Sequence, residues 1–257
     1  MNYDFKNFGK SPSANLKFYF VLLDSDETKQ KILVEFLKIC VFDGWNKAAL
    51  LKAIESCGIK KNSADLIFEN GCLGIAEFYV ESQNKESAEK IFAIENFHSK
   101  KIRDKIRLSL YARFEVEKNN RLALQRLINF YLNPKNFASL ELGARPLIQS
   151  LQLNCKIADF IWKNINDQST DFNFYTKRLT LGKIILRSLL IFVKDESDDC
   201  AKTKSFIDSQ IDKVMKFEKR KMQAKKVFGA IFLDENGAPK SPKKIIQDLP
   251  FIRLIKF

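Results

Sequence analysis

The stretch TKQKILVEFLKICVFDGWNKAALLKAIESCGIKKNSADLIFENG, residues 28–71, decides the fold class. Ile32, Leu33, Phe36, Leu37 and Cys40 recur at helical spacing, which predicts a helix over 28–42. Ser25 or Asp26 caps it, and acidic groups occupy the first turn, where the helix dipole favours them. Asp43-Gly44 stops that helix, and Trp45 leads into a second over 46–57, closed by Gly58. A third, over 63–69, is capped by Asn62 or Ser63 and ended by Asn70-Gly71. Three short helices joined by tight turns form the pattern of a helix-turn-helix module. The charge does not suit DNA: residues 28–70 carry seven Lys against five Asp/Glu, a net of +2. The third helix holds Asp65 and Glu69, which phosphate repels, and this stretch has no Arg to pair with guanine.

From residue 73 the helices lengthen. Periodicity places them at 73–94, 98–116 and 121–132, then over a long apolar stretch at 136–165 that Gly143 and Pro146 interrupt. Two more follow, at 170–193 and from about Thr203 to at least Lys225. No strand pattern is present, so the class is all-α, a bundle of about nine or ten helices. The expected organisation is an arm (1–27), the helix-turn-helix-like subdomain (28–71), a helical domain (72–226) and a basic, apolar tail (227–257).

Composition narrows the function. The chain has 257 residues and a net charge of +13, carried mostly by Lys. A Lys- and Phe-heavy composition is also what an AT-rich genome encodes, so the charge is discounted as a nucleic-acid signal, which leaves anionic lipid surfaces and acidic partners as its readings. The five Cys (40, 57, 72, 155 and 200) are odd in number and form no CxxC pair. Most read as buried thiols of a reducing compartment. No span approaches the ~20 apolar residues a transmembrane helix needs. The run LKFYFVLL, residues 16–23, reads as an arm packing on the domain. The expected location is cytoplasmic, with membrane contact left open.

Catalytic chemistry finds little purchase. Glu95-x-x-His98 has the spacing of half a di-iron site, but a di-iron centre needs two such motifs and His98 is the chain's only His. The same count speaks against His-based triads and zinc hydrolysis. The expectation is a protein without catalytic residues, metal or cofactor. Two features remain. Twenty-three Phe is aromatic bulk suited to a ligand cavity as well as to an ordinary core. Residues 213–233 (KVMKFEKRKMQAKKVFGAIFL) run from a basic helix into an apolar end. That pattern suits an anionic membrane surface, or a solvated helix docking on the domain or on a second subunit.

One further stretch stands out, DQSTDFNFYTKR at 167–178. At about 100° per residue, Asp171, Phe174, Tyr175 and Arg178 share a helix face. Together with VFDGWNKAALLKAI (41–54), IADFIWKNI (157–165) and the FID…I..VMKFEK pattern that follows, it resembles the ubiquinone-biosynthesis lipid-binding accessory family, the "Coq-nine" proteins. The resemblance covers residues 28–224.

The resemblance implies a TetR-regulator-like fold that has lost DNA binding. It implies isoprenoid lipid binding in the helical interior, for which this chain offers Phe78, Phe92, Leu110, Phe114, Phe130, Phe160, Ile161, Trp162 and Phe172. It implies support of the di-iron demethoxyubiquinone hydroxylase through Asp171, Phe174, Tyr175 and Arg178, where relatives usually carry Trp in place of Phe174. It also implies membrane attachment through Met222, Lys225, Lys226, Val227, Phe228, Ile231 and Phe232. The metal chemistry then belongs to the partner, and the protein works at the inner face of the membrane. Expected partners are an isoprenoid or quinone lipid, phospholipid, the hydroxylase and the anionic membrane surface, without nucleic acid. TetR-type folds form homodimers through their last two helices, here 170–193 and 203–219. The competing reading is a TetR-like transcriptional regulator with a hydrophobic effector.

Overall fold

A computed structural model describes residues 25–138, 144–168 and 172–232. Among these every regular element is helical. The chain divides into two compact units, Met1–Lys204 and Ser205–Phe257.

In the first unit, α1 (Asp26–Asp43) starts where expected, because the Ser25 hydroxyl accepts from the Thr28 amide at 3.2 Å and Asp26 and Glu27 fill the first turn. It buries Ile32, Leu33, Phe36 and Cys40. Gly44, at φ 84°, ends it in a conformation that side chains with a Cβ avoid. Asn46 caps α2 (Lys47–Ser56) by accepting from the Ala49 amide at 2.9 Å. Between the two helices Trp45 turns inward. It donates to the Cys72 carbonyl at 3.1 Å and meets the edges of Phe36 and Tyr79 at 4.7 and 5.9 Å.

The third helix is shorter than the sequence suggests. After a 3₁₀ turn (Lys61–Ser63), α3 spans only Ala64–Ile67, and Phe68 is extended. The next helix, α4 (Cys72–Phe92), passes so close to this segment that a Cβ on Gly74 would lie 2.2 Å from the Glu69 carbonyl oxygen. Asn70 (φ 63°) and Gly71 (φ 56°) turn the chain into that helix.

A 3₁₀ turn at Phe97–Ser99 precedes α5 (Ile102–Glu117), so His98 sits in the connection and not in the helix, between the rings of Phe92 and Phe97. Then come α6 (Arg121–Leu132), α7 (Pro134–Ala138) and α8 (Arg145–Asn164). The proline that suggested a kink lies in the first turn of α8, where its missing N–H costs nothing. Gly143 is outside the described residues. Finally α9 (Phe172–Phe192) runs back along α8, and α10 (Ala201–Phe232) begins after a loop.

Helices α4 and α8 organise the core: α4 packs on α1, α5 and α8, and α8 also on α5, α6 and α9. Tyr79, Ile75 and Ile91 from α4, Leu110 from α5 and Ile161 from α8 are almost wholly buried. Each such side chain contributes roughly 1.5–3 kcal/mol. The core is not uniformly apolar. The Tyr79 hydroxyl donates to Glu117, Glu117 pairs with Arg113 at 2.8 Å, and Arg113 donates to Asn84 Oδ1 at 2.7 Å.

The loop before α10 is fixed by Asp195, which accepts from the amide and hydroxyl of both Ser197 and Thr203. The cysteines differ from expectation: Cys40 and Cys200 are buried, Cys57 and Cys72 half-buried, and Cys155 exposed. Burial pushes the Cys40 thiol up to about 12, so it stays protonated.

Candidate functional site

α8 ends in a left-handed Asn166 (φ 64°), with the Asp167 amide donating back to the Trp162 carbonyl at 3.0 Å. This closure aims the Asp167 carboxylate at the first turns of α9. There Lys177 pairs with it at 2.6 Å and lies 5.1 Å from the centre of the Trp162 ring. Arg178 lies next to Lys177. Its Nε donates to Asp159 Oδ1 at 2.7 Å, its Nη1 donates to the Phe174 carbonyl at 3.1 Å, and it lies 3.6 Å from Asp167. The guanidinium carbon sits 3.3 Å from the centre of the Phe174 ring. Lys163 completes the group, 2.7 Å from Asp159. Burial alone would push the Asp159 carboxyl up, but hydrogen bonds from Lys163 and Arg178 outweigh it and hold the group below its ordinary range.

Above this ionic base stands an aromatic pair. Phe174 and Tyr175 meet edge to face at 5.2 Å, and Tyr175 is 64% exposed. Tyr175, Leu179, Leu186 and Leu190 follow one another along a narrow arc of α9, and all four are exposed. A run of large apolar groups in water is the kind of surface that partners cover. Arg178 is different from the other expected contacts: it is only 8% exposed and lies beneath Phe174. Asp171 lies outside the described residues.

The residues expected to hold lipid are not drawn into one place. Leu110, Phe114, Phe130, Ile161 and Trp162 are buried, and Phe114 packs on Phe192 at 5.1 Å. Phe78 and Phe160 are half-buried, and Phe92 is 61% exposed beside His98. The side chain of Phe172 lies outside the described residues. A cavity of about 720 Å³ opens where α2 and the α3–α4 turn face α6 and the start of α8. Trp45, Leu73 and Phe130 give it apolar walls, and Lys47, Arg126, Arg145, Asp65 and Glu69 give it charge. Sequence reasoning missed it, although the stretch at 41–54 that carried the resemblance supplies Gly44, Trp45, Asn46 and Lys47 to its wall. Among the described residues no cluster of His, Cys, Asp and Glu has the grouping of a metal site.

The second unit begins at Ser205 and holds most of α10, whose described surface carries Lys213, Lys216, Lys219, Arg220 and Lys221 with exposed Met215, Phe217 and Met222. The side chains of Lys225, Lys226, Val227, Phe228, Ile231 and Phe232 lie outside the described residues. No described helix is long and apolar enough to cross a membrane.

These features define an all-α helical protein with an aromatic face on α9 and a basic, partly apolar α10. The family model described as COQ9 matches residues 147–218, which contain that whole face. The chain is 25% identical over 225 residues to the bovine protein named ubiquinone biosynthesis protein COQ9, mitochondrial, covering 86% of this chain and 67% of the relative. It is 26% identical over 208 residues to a probable ubiquinone biosynthesis protein coq9, mitochondrial, of Dictyostelium discoideum, covering 79% and 64%. Its human relative of the same name as the bovine protein is 23% identical over 225 residues, covering 86% and 68%. The chain is thus similar to the COQ9 family of ubiquinone-biosynthesis proteins.

Proposed function

We propose that this chain is a non-catalytic accessory protein of ubiquinone biosynthesis. It binds a polyprenyl quinone precursor, takes it from the membrane and presents it to the demethoxyubiquinone hydroxylase. The observation that carries this reading is the exposed Tyr175 standing edge-on to Phe174 inside the stretch that matches the family. Similarity to the COQ9 proteins supports a role in ubiquinone biosynthesis, and the aromatic pair supplies a surface for the enzyme that acts there. The basic α10 supports attachment to an anionic membrane through Met222 and the cationic and apolar residues that follow it. The working site is the cytoplasmic, inner face of the membrane, although the relatives named above are mitochondrial.

The energetics suit a carrier. Burying an isoprenoid chain in protein gains about 0.8 kcal/mol per CH₂ relative to water, and leaving the bilayer loses the same amount. A protein interior as apolar as the membrane therefore exchanges such a lipid at little net cost. The regulator reading is not favoured, since the exposed residues of the one-turn α3 include Asp65. The hydroxylase tests the proposal. With both proteins purified, the wild type should co-elute with it, and Tyr175→Ala should weaken association at least about tenfold, as loss of a central aromatic contact does. Undiminished association of Tyr175→Ala would overturn the docking role of this face.

A further inference from the structure

Phe174 has no polar atom with which to fix its ring. Its position must be set by what lies under it. That support is Arg178, whose guanidinium carbon is 3.3 Å from the ring centre and whose Nη1 is bound to the Phe174 carbonyl at 3.1 Å. Arg178 is itself held from α8 and the α8–α9 turn, by Asp159 at 2.7 Å and Asp167 at 3.6 Å. Lys163 and Lys177 pair with the same two carboxylates at 2.7 and 2.6 Å, so three cations share two carboxylates and the group carries one net positive charge. With the ring covering one face, carboxylates on its donors and only 8% of the residue exposed, Arg178 presents almost nothing to an incoming protein.

We infer that Asp159 and Asp167 are positioning residues of the docking face: they hold Arg178 beneath Phe174, and Arg178 shapes the aromatic pair from below without touching the partner. The surface that meets the hydroxylase is then aromatic and apolar, and the partner patch it fits is uncharged at its centre. This inference rests on the docking role proposed above for Phe174 and Tyr175.

The test uses the full chain with 4-fluorophenylalanine at position 174. In the free protein, Asp159→Asn should move the fluorine resonance toward that of a solvent-exposed ring, and Asp159→Glu should restore most of the original shift. A purely structural role would not give that pattern in a variant whose circular dichroism is unchanged. Association with the hydroxylase should weaken about tenfold in Asp159→Asn. Adding Arg178→Lys should then weaken it by no more than about twofold, because both changes break one clamp. An unmoved fluorine resonance in Asp159→Asn would overturn the positioning role, whatever happens to binding. A full further loss on adding Arg178→Lys would overturn the claim that Arg178 makes no contact with the partner. Tyr175→Ala, measured alongside, separates the two levels: if it binds normally the docking reading fails, and the fluorine shift still decides whether the clamp exists.

Discussion

Two groups in this molecule use the same ingredients, an arginine, carboxylates and an aromatic ring, to different ends. In the core, Arg113, Glu117 and Tyr79 are sealed, with Glu117 fully buried and Arg113 4% exposed. Between α8 and α9, Arg178 is buried beneath Phe174, while Phe174 and Asp159 are half-buried, with the Asp159 side chain 27% exposed. The sealed group joins α4 to α5 and can act only on stability. The surface group ends in a ring and a tyrosine that face water, so its ordering is available to a partner. Depth decides which role a charge cluster plays: a buried ion without its partner is strongly destabilising, whereas a half-exposed one recovers water.

The largest effect should come from breaking the sealed group. Glu117→Ala leaves Arg113 charged and unpaired in the core and should cost about 3–5 kcal/mol in urea unfolding. A loss below about 1 kcal/mol would show that this seam is hydrated and that the contrast with the surface group is false. Gly74→Ala comes next. Its methyl would meet a backbone oxygen at 2.2 Å, which has no flexible end to move aside. The expected destabilisation is about 1–3 kcal/mol, read as a lower unfolding midpoint. At the surface, Asp159→Asn should cost under about 1 kcal/mol of stability, since the pair it breaks is partly solvated. Its effect belongs to partner association.

The smallest effect concerns pH, where the two groups should differ in sign. Asp159 is held low in the folded state, so its pairing stabilises above the ordinary carboxylate value of about 3.9 and is lost as pH falls through the lower folded value. Hydroxylase association through this face should therefore be flat from about pH 8 to pH 5. Glu117 is shifted the other way, because burial outweighs the Arg113 charge. Its contribution is full below its unfolded value and declines as pH rises through the raised folded one. Comparing the unfolding of wild type and Glu117→Gln across the same range should show the wild type losing ground as pH rises. The opposite trend would mean that Arg113 dominates.

Much of the fold was legible in the sequence. Ser25, Gly44, Asn46 and Pro146 act through local backbone chemistry, and the helix ends they mark fall where that chemistry places them. The short α3 was not legible: Asn70-Gly71 reads as the stop of a helix reaching Glu69, but the helix ends at Ile67 and Phe68 is already extended. Periodicity placed Arg178 on the same face as Phe174 and Tyr175, and this is correct for α9 alone. Only the antiparallel neighbour α8, carrying Asp159, turns that arginine into a buried support. The cavity beside Trp45 is assembled from segments near residues 45, 70, 130 and 145, and no single pattern in the chain announces it.

The measurement closest to the central claim is the lipid content of the purified protein. The full chain, incubated with anionic vesicles containing polyprenyl quinone precursors and re-isolated, would be extracted and examined by mass spectrometry. Stoichiometric isoprenoid lipid retained by the protein, and its loss to the hydroxylase on mixing, is the expected result. Isoprenoid no higher than that carried by an unrelated basic protein would contradict the account.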